Sequence, residues 1–189
     1  VIHSGKIGEV RDVEACFTRL ANPYLRECSD PDYGGAFLEF GAYTLLPIFK
    51  LFGLDYKEVR IDSILGENGV DLYTKIQLFY DKGMATAKCG VGVKSEGQLV
   101  VAGTEGYLLA ESPWWLTKKF VLRYEDATKV ETYEPSFQGD GLRYEMSEFV
   151  SQINGMNKNG YKLTQEEAVA MADITERFMK KRWESRKND

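Results

Sequence analysis

At 189 residues, with 43% hydrophobic side chains, the chain has the size and apolar content of one globular domain with a sizeable core. Its 29 acidic residues outnumber 24 basic ones, giving a net charge of −5. That balance argues against a protein that tracks nucleic-acid phosphates with a basic face, since counterion release needs concentrated positive charge. No apolar run approaches the roughly 20 residues that span a bilayer, and Val1-Ile2-His3-Ser4-Gly5-Lys6 is not a signal peptide, so a cytoplasmic location is expected, with no nucleic-acid or membrane partner. Cys16, Cys28 and Cys89 form an odd set without Cys-x-x-Cys spacing and read as reduced thiols. His3 is the single histidine, so a histidine-rich metal site or a histidine triad lacks its parts, and no metal is expected.

In chain order, Gly8 to Thr18 reads as a strand that starts abruptly after a Gly-bounded turn. From Phe37 to Phe52 apolar residues recur at helical spacing, and Gly53 supplies the C-cap. Pro47 interrupts that helix; it cannot donate to the Tyr43 carbonyl, which predicts a kink near Tyr43. Asp71 to Tyr80 alternates, with Leu72, Thr74, Ile76, Leu78 and Tyr80 on one face, and Asp81-Lys82-Gly83 turns into a partner strand over Met84 to Val93. Gln98 to Ala102, Tyr107 to Glu111, Phe120 to Tyr124 and Val130 to Tyr133 read as further short strands in a meandering antiparallel sheet.

Two helices finish the chain. The first, Leu142 to Asn154, carries Tyr144, Met146, Phe149, Val150 and Ile153. The second runs from Gln165 to about Ser185 and opens with a capping box at Thr164-Gln165-Glu166-Glu167. Its apolar stripe reads as Ala168, Met171, Ala172, Thr175, Phe178 and Met179, while Lys180-Lys181-Arg182 and Arg186-Lys187 read as cations complementing the helix C-terminus. Strands between segregated helices give an α+β fold, an open-faced and predominantly antiparallel sheet with helices packed on one face. Tyr73, Phe79, Val91 and Val93 are spaced to make the other face partly apolar, which predicts burial against another copy or another domain.

The chemistry-bearing stretch is Gly34-Gly35-Ala36-Phe37-Leu38-Glu39-Phe40-Gly41-Ala42-Tyr43. A Gly-Gly entry lets the backbone pass close to a bound molecule, and in a helix Glu39 and Tyr43 project from one face, one turn apart. A phenol titrates near pH 10 and needs a nearby cation before it works as an acid or base at neutral pH; Glu39 has the wrong sign for that. The alternative is a solvated or hydrogen-bonded helix face. Gly90-Val91-Gly92 lies in a strand with no helix behind it, so no dinucleotide fingerprint is visible, and there is no phosphate loop or nucleophile elbow.

Ser4-Gly5-Lys6-Ile7-Gly8-Glu9-Val10, then Gly34-Gly35-x-x-x-Glu39-x-Gly41-x-Tyr43, Gly103-Thr104-Glu105-Gly106 and Gly141-Leu142-Arg143-Tyr144-Glu145, in this order over essentially the whole chain, resemble the C-terminal domain of the Gfo/Idh/MocA family of oxidoreductases. The resemblance implies one substrate-binding and oligomerisation domain over residues 1–189, with the Rossmann domain that binds NAD or NADP, and its catalytic Glu-Lys-Pro lysine, outside this sequence. It implies a homo-oligomer formed through the open sheet face, acting on a sugar, polyol or related hydroxy compound, and a chain inactive in isolation. Tyr43 is then the proton donor or acceptor and Glu39 an orienting group. Where the family pattern usually has Asp, His and a second Asp, this chain has Glu39, Tyr43 and Leu46, and the tyrosine resembles the glucose-fructose oxidoreductase and dihydrodiol dehydrogenase branch. Gly34, Gly35, Arg19, Trp114, Trp115 and Tyr144 are candidates for the substrate pocket, against packing roles for the tryptophans and a surface salt bridge for Arg19. The rival reading is a non-catalytic, dimeric binding or scaffold module of the same fold.

Overall fold

The computed structural model describes residues 1–22, 24–155 and 162–187. Eight strands form one open sheet, β1 (Val10–Thr18), β2 (Glu58–Leu65), β3 (Asp71–Tyr80), β4 (Gly83–Gly90), β5 (Leu99–Gly103), β6 (Gly106–Ala110), β7 (Phe120–Tyr124) and β8 (Val130–Tyr133), in the order β2-β3-β4-β1-β5-β6-β7-β8. All pairs are antiparallel except β1 with β4, which run parallel in the centre of the sheet. The helices are α1 (Arg26–Ser29), α2 (Ala36–Phe52), α3 (Gly141–Ile153) and α4 (Gln165–Lys187). This is the expected α+β architecture, and among the described residues no helix is long and apolar enough to cross a membrane.

The central parallel pair corrects the simple meander. β1 is threaded between β4 and β5, which follow it much later in the chain, and no local turn signal announces such a pairing. The strand β2 was not anticipated: Glu58, Arg60 and Asp62 load it with charge, as suits an edge strand. β4 stops at Gly90, short of Val93, and Val91 turns into the core instead of extending the open face. α2 continues through Pro47 to Phe52, and Gly53 closes it with a positive φ of 76°.

α2 lies on β1, β4 and β3, burying Phe37, Phe40, Leu45, Ile48 and Phe49 against strand residues such as Val13, Ala15, Ile76, Leu78 and Ala87. α4 packs beside α2, with the rings of Phe178 and Phe37 4.8 Å apart. Its capping box forms as expected: Glu167 N–H donates to Thr164 Oγ1 at 3.2 Å, and Thr164 N–H to Glu167 Oε2 at 2.8 Å. The apolar stripe forms in part: Phe178 is buried and Met171 and Met179 pack against the core, but Ala168 and Ala172 are exposed, and the helix also turns Glu167, Ile174 and Arg182 inward. Arg182 is therefore a buried residue rather than a terminal cation, whereas Lys181 reaches the Ile61 carbonyl and Asp62 on β2; the side chain of Lys187 lies outside the described residues. α3 buries none of its side chains, so its apolar stripe is exposed.

The helices thus cover only one half of one sheet face. Over β5, β6 and β7 that face meets turns: the N-terminal turn Ile2–Ser4 and the turn Trp114–Leu116. The opposite face mixes charge with rings. On it Glu14 pairs with Lys88 at 2.5 Å, Arg60 lies over Phe79 and Lys75 over Tyr73.

Two of the sequence phrases meet in space. Thr104 N–H donates to Glu9 O and Glu105 N–H to Ile7 O, both at 3.0 Å, so the segment before β1 is held by the β5–β6 turn. Gly8, at φ +71°, has no room for a Cβ beside Thr104.

Candidate functional site: an apolar cavity beside Tyr43

Beyond the edge of α2, where the sheet loses its helical cover, lies a cavity of about 770 Å³. Its floor is the upward-facing set Leu99 and Val101 on β5, Leu108 and Ala110 on β6 and Phe120 on β7, which strand alternation and register place side by side. One wall is the α2 stripe Tyr43, Leu46, Pro47, Lys50 and Leu51, at helical spacing. The other is the turn Trp114–Leu116 with Thr117.

The walls are fixed by an aromatic stack. Phe17 of β1 sits between Phe40 and Trp115, with ring centroids 4.2 and 3.6 Å away and interplanar angles of 13° and 12°. Tyr43 meets Phe17 edge-on at 5.3 Å, and Trp114 meets Trp115 at 6.2 Å in a T. Trp114 is tied down twice, by Nε1–H to Cys16 O at 2.9 Å and by its backbone N–H to Gly97 O at 3.1 Å. The absence of a Cβ at Gly97 admits the Trp115 ring.

Most polar groups on these walls are already committed. Lys50 Nζ donates to Glu167 Oε2 at 2.7 Å and to Lys162 O at 2.6 Å, and Thr117 Oγ1 donates to Lys119 O at 2.6 Å. The Tyr43 hydroxyl makes no hydrogen bond among the described residues, and its side chain is 53% exposed. Tyr43, Trp114 and Trp115, all candidates from the sequence, line the same cavity. Tyr144 lies on the far side of Trp115, at a second cavity of about 530 Å³ that shares Trp115, Leu116 and Thr117 with the first. Its hydroxyl accepts the Gln138 N–H at 2.7 Å.

The remaining candidates stand elsewhere. Glu39 is exposed one turn before Tyr43 and does not line the cavity; Arg19 is exposed after the end of β1, its backbone N–H bonded to Gly90 O. Gly34 and Gly35 are buried, and the space left by the missing side chain of Gly35 is filled by the protein itself. Gly35, at φ +120°, would place a Cβ on Asp71 Oδ1. Asp71 accepts from the Phe37 N–H at 2.9 Å and from Thr74 Oγ1 at 2.7 Å, so a strand carboxylate caps α2. Arg182 completes the knot, 3.3 Å from Asp71 and donating to Gly34 O at 2.7 Å and Asp32 O at 3.1 Å. Loss of water is the largest influence on both partners, pushing the Asp71 carboxyl above its ordinary range and the Arg182 guanidinium below its own.

The sequence reading missed this pair and the cavity floor. Asp71 opening an apolar alternation was a signal of sorts, but nothing local joined it to Arg182. Among the described residues no cluster of His, Cys, Asp and Glu could hold a metal ion. The three cysteines are buried and form no disulfide, and burial pushes the Cys89 thiol up to about 12, which leaves it unreactive.

Comparison with known proteins gives this geometry a context. The chain is 25% identical over 188 residues to trans-1,2-dihydrobenzene-1,2-diol dehydrogenase of Bos taurus, covering 95% of this chain and 56% of that protein, and 26% identical over 191 residues to the Sus scrofa enzyme, again covering 95% and 56%. It spans little more than half the length of these relatives. Among solved structures, aldose-aldose oxidoreductase from Caulobacter crescentus complexed with glycerol superposes with a TM-score of 0.72 at 16% identity, over 97% of this chain and 56% of that one. A 3-ketoreductase from Actinomadura kijaniata in complex with TDP-benzene and NADP gives 0.69 at 17% identity, over 90% and 51%. Both share the fold. The family model for the GFO/IDH/MocA C-terminal domain matches residues 1–109, and this chain belongs to that oxidoreductase family.

Proposed function

We propose that the chain is the substrate-binding and oligomerisation domain of an NAD(P)-dependent oxidoreductase acting on a sugar, polyol or related hydroxy compound. The observation that carries this reading is the Tyr43 hydroxyl, without a hydrogen bond among the described residues, on the wall of a 770 Å³ cavity. A carbinol in the cavity hydrogen-bonds to that hydroxyl, and Tyr43 takes or returns its proton. Glu39, one turn away on the same helix, orients polar groups at the rim.

The described residues do not fit a dinucleotide. Among the described residues no Gly-x-Gly-x-x-Gly turn leads from a strand into a helix, the β8–α3 loop offering Gly139-Asp140-Gly141 but Tyr144 in place of the third glycine, and the N-terminus of α2 is already occupied by the Asp71 carboxylate. The nicotinamide, which supplies hydride exchange, belongs to another part of a longer protein, in keeping with the share of the relatives that the chain spans. Lys50 is held by Glu167, so the cation that a working phenol needs comes from there too. A second copy covers the open sheet face. The partly desolvated charges there support this: Asp12 lies above its ordinary range through burial and the nearby Glu14, and Glu14 is paired with Lys88.

In the full-length enzyme, Tyr43→Phe is expected to cut turnover by about 10²–10⁴-fold with unchanged circular dichroism. Unchanged turnover removes Tyr43 from the mechanism. Calorimetry on the present chain is expected to show no heat of NAD or NADP binding, and tight binding would overturn the placement of the cofactor. Sedimentation of Met84→Glu, an exposed β4 residue, is expected to give a monomer where the parent chain gives a dimer or larger oligomer; an unchanged oligomer removes the open face from the interface.

A further inference from the structure

The helix α3 is mounted inside out. Leu142, Met146, Phe149, Val150 and Ile153 recur at the three- and four-residue spacing of one helical face, the pattern that ordinarily buries a helix against its own core. Here all five are more than half exposed, Phe149 at 61% and Ile153 at 68%. At 3.6 residues per turn Tyr144 and Glu148 fall on the opposite side, and that side meets the domain. The Glu148 side chain, 12% exposed, pairs with Lys162 Nζ at 3.0 Å, and Tyr144 lines the second cavity with Trp115.

The attachment places the helix beside the Tyr43 cavity. Lys162 Nζ also donates to Tyr144 O at 3.3 Å, and Lys162 O accepts from Lys50 Nζ at 2.6 Å. Lys50 stands on the α2 wall of that cavity and Trp115 on the wall across from it, so α3 is tied to both walls. A helix of 13 residues is marginal in water on its own and is stabilised by burying its apolar face, which its own domain leaves bare. A second copy on the open sheet face does not reach the stripe, because Lys50 fastens α3 to the helix-bearing side of the sheet. The curated relatives point to another cover: the chain spans 56% of their length, and the rest is large enough for a further domain.

We propose that the outward stripe of α3 is the docking surface for the cofactor-bearing domain of the same longer protein, with Phe149 and Ile153 among its anchors. Hydride exchange at a carbinol on Tyr43 requires the nicotinamide to be brought to this cavity, and α3 offers the domain that brings it an apolar helical face beside both walls. That the docked domain carries the cofactor rests on the oxidoreductase reading above. That a domain docks there rests on the inverted face of the helix.

Amide hydrogen exchange read by mass spectrometry, on the present chain and on the full-length protein, tests this. In the present chain the amides of Met146 to Ile153 are expected to exchange within about tenfold of the rate of an unfolded peptide, at every protein concentration. In the full-length protein they are expected to slow by at least about a further hundredfold. Phe149→Asp is expected to leave the melting temperature of the present chain unchanged, since the side chain is exposed there, and to return α3 of the full-length protein to fast exchange. Ile153→Ser is a milder second variant with the same expected direction.

Equal exchange in the two proteins overturns the proposal, as does protection that survives both substitutions. Slow exchange in the present chain overturns it as well: persisting on dilution, it means that the stripe packs on its own domain, and lost on dilution, that a second copy covers it. The two readings fail separately. Nicotinamide-dependent turnover of a full-length protein whose α3 exchanges freely keeps the oxidoreductase and rejects the docking surface; a protected α3 in a full-length protein that binds neither NAD nor NADP keeps the docking surface and rejects the oxidoreductase.

Discussion

The two ends of α2 carry similar residue types and are built for opposite purposes. At its N-terminus glycines, an acid and an arginine close on one another: Gly34, Gly35, Asp71 and Arg182 are buried, and every donor finds an acceptor within the protein. Further along, Tyr43 and Lys50 border an open apolar space, and only Lys50 is satisfied internally. The difference teaches that a glycine pair before a helix does not by itself mark a ligand's path. Here the absent side chain of Gly35 makes room for an internal ion pair, and the proposed functional surface begins where helical cover of the sheet ends.

Breaking the closed end should have the largest effect. Arg182→Met leaves the Asp71 carboxylate buried without its counter-charge and two carbonyls without donors, and urea unfolding is expected to show a loss of about 3–5 kcal/mol. A loss under about 1 kcal/mol would mean that the knot is incidental. Gly35→Ala imposes a Cβ on Asp71 at φ +120° and is expected to cost about 2–4 kcal/mol by the same measurement; a neutral result would show that the loop relaxes.

At the open end the stability signature reverses. Tyr43→Phe removes an unbonded, exposed hydroxyl, so its unfolding free energy should stay within about 0.5 kcal/mol of the parent, although turnover of the full-length protein falls. A clear destabilisation would give the hydroxyl a structural bond and erase the contrast.

The smallest effect belongs to a third polar knot, on the exposed edge of the same sheet face. Glu131 accepts from Lys6, Tyr124 and Tyr133, and these bonds hold its carboxyl at about 2 against an ordinary 4.5. A folded-state value below the unfolded one contributes stability above pH 4.5 that is lost as pH falls from there through about 2. Carbon NMR should place the Glu131 midpoint near 2, with little change in the melting temperature at neutral salt because the group is exposed. A midpoint at the ordinary value would dissolve the cluster.

Much of the sheet was legible because alternation marks a strand wherever one face is buried: β3 and β5 to β8 follow directly from their residues. β2 was not, because charges on an edge strand blur that period. The capping box at Thr164 was legible, being local. Arg182 was misread because a basic run near a helix end has a common local explanation, and its true partner stands 111 positions away. Tyr43 and the tryptophans could be picked out one at a time. The cavity could not, since its floor is ordinary strand sequence that becomes a site only because α2 leaves it uncovered.

The central parallel pair also constrains the order in which the molecule can assemble. β1 is made early, yet its neighbours are β4, which sets Met84 opposite Asp12, and β5, which sets Gly103 opposite Val10. Closing such long loops costs entropy that hairpins avoid, so β2, β3 and β4 can zip as a local meander while β1 waits. In pulsed hydrogen exchange, amides of β3 and β4 should gain protection ahead of those in β1. Until then the middle of the future sheet is an unpaired β4 edge, a seam open to strands of other chains during synthesis.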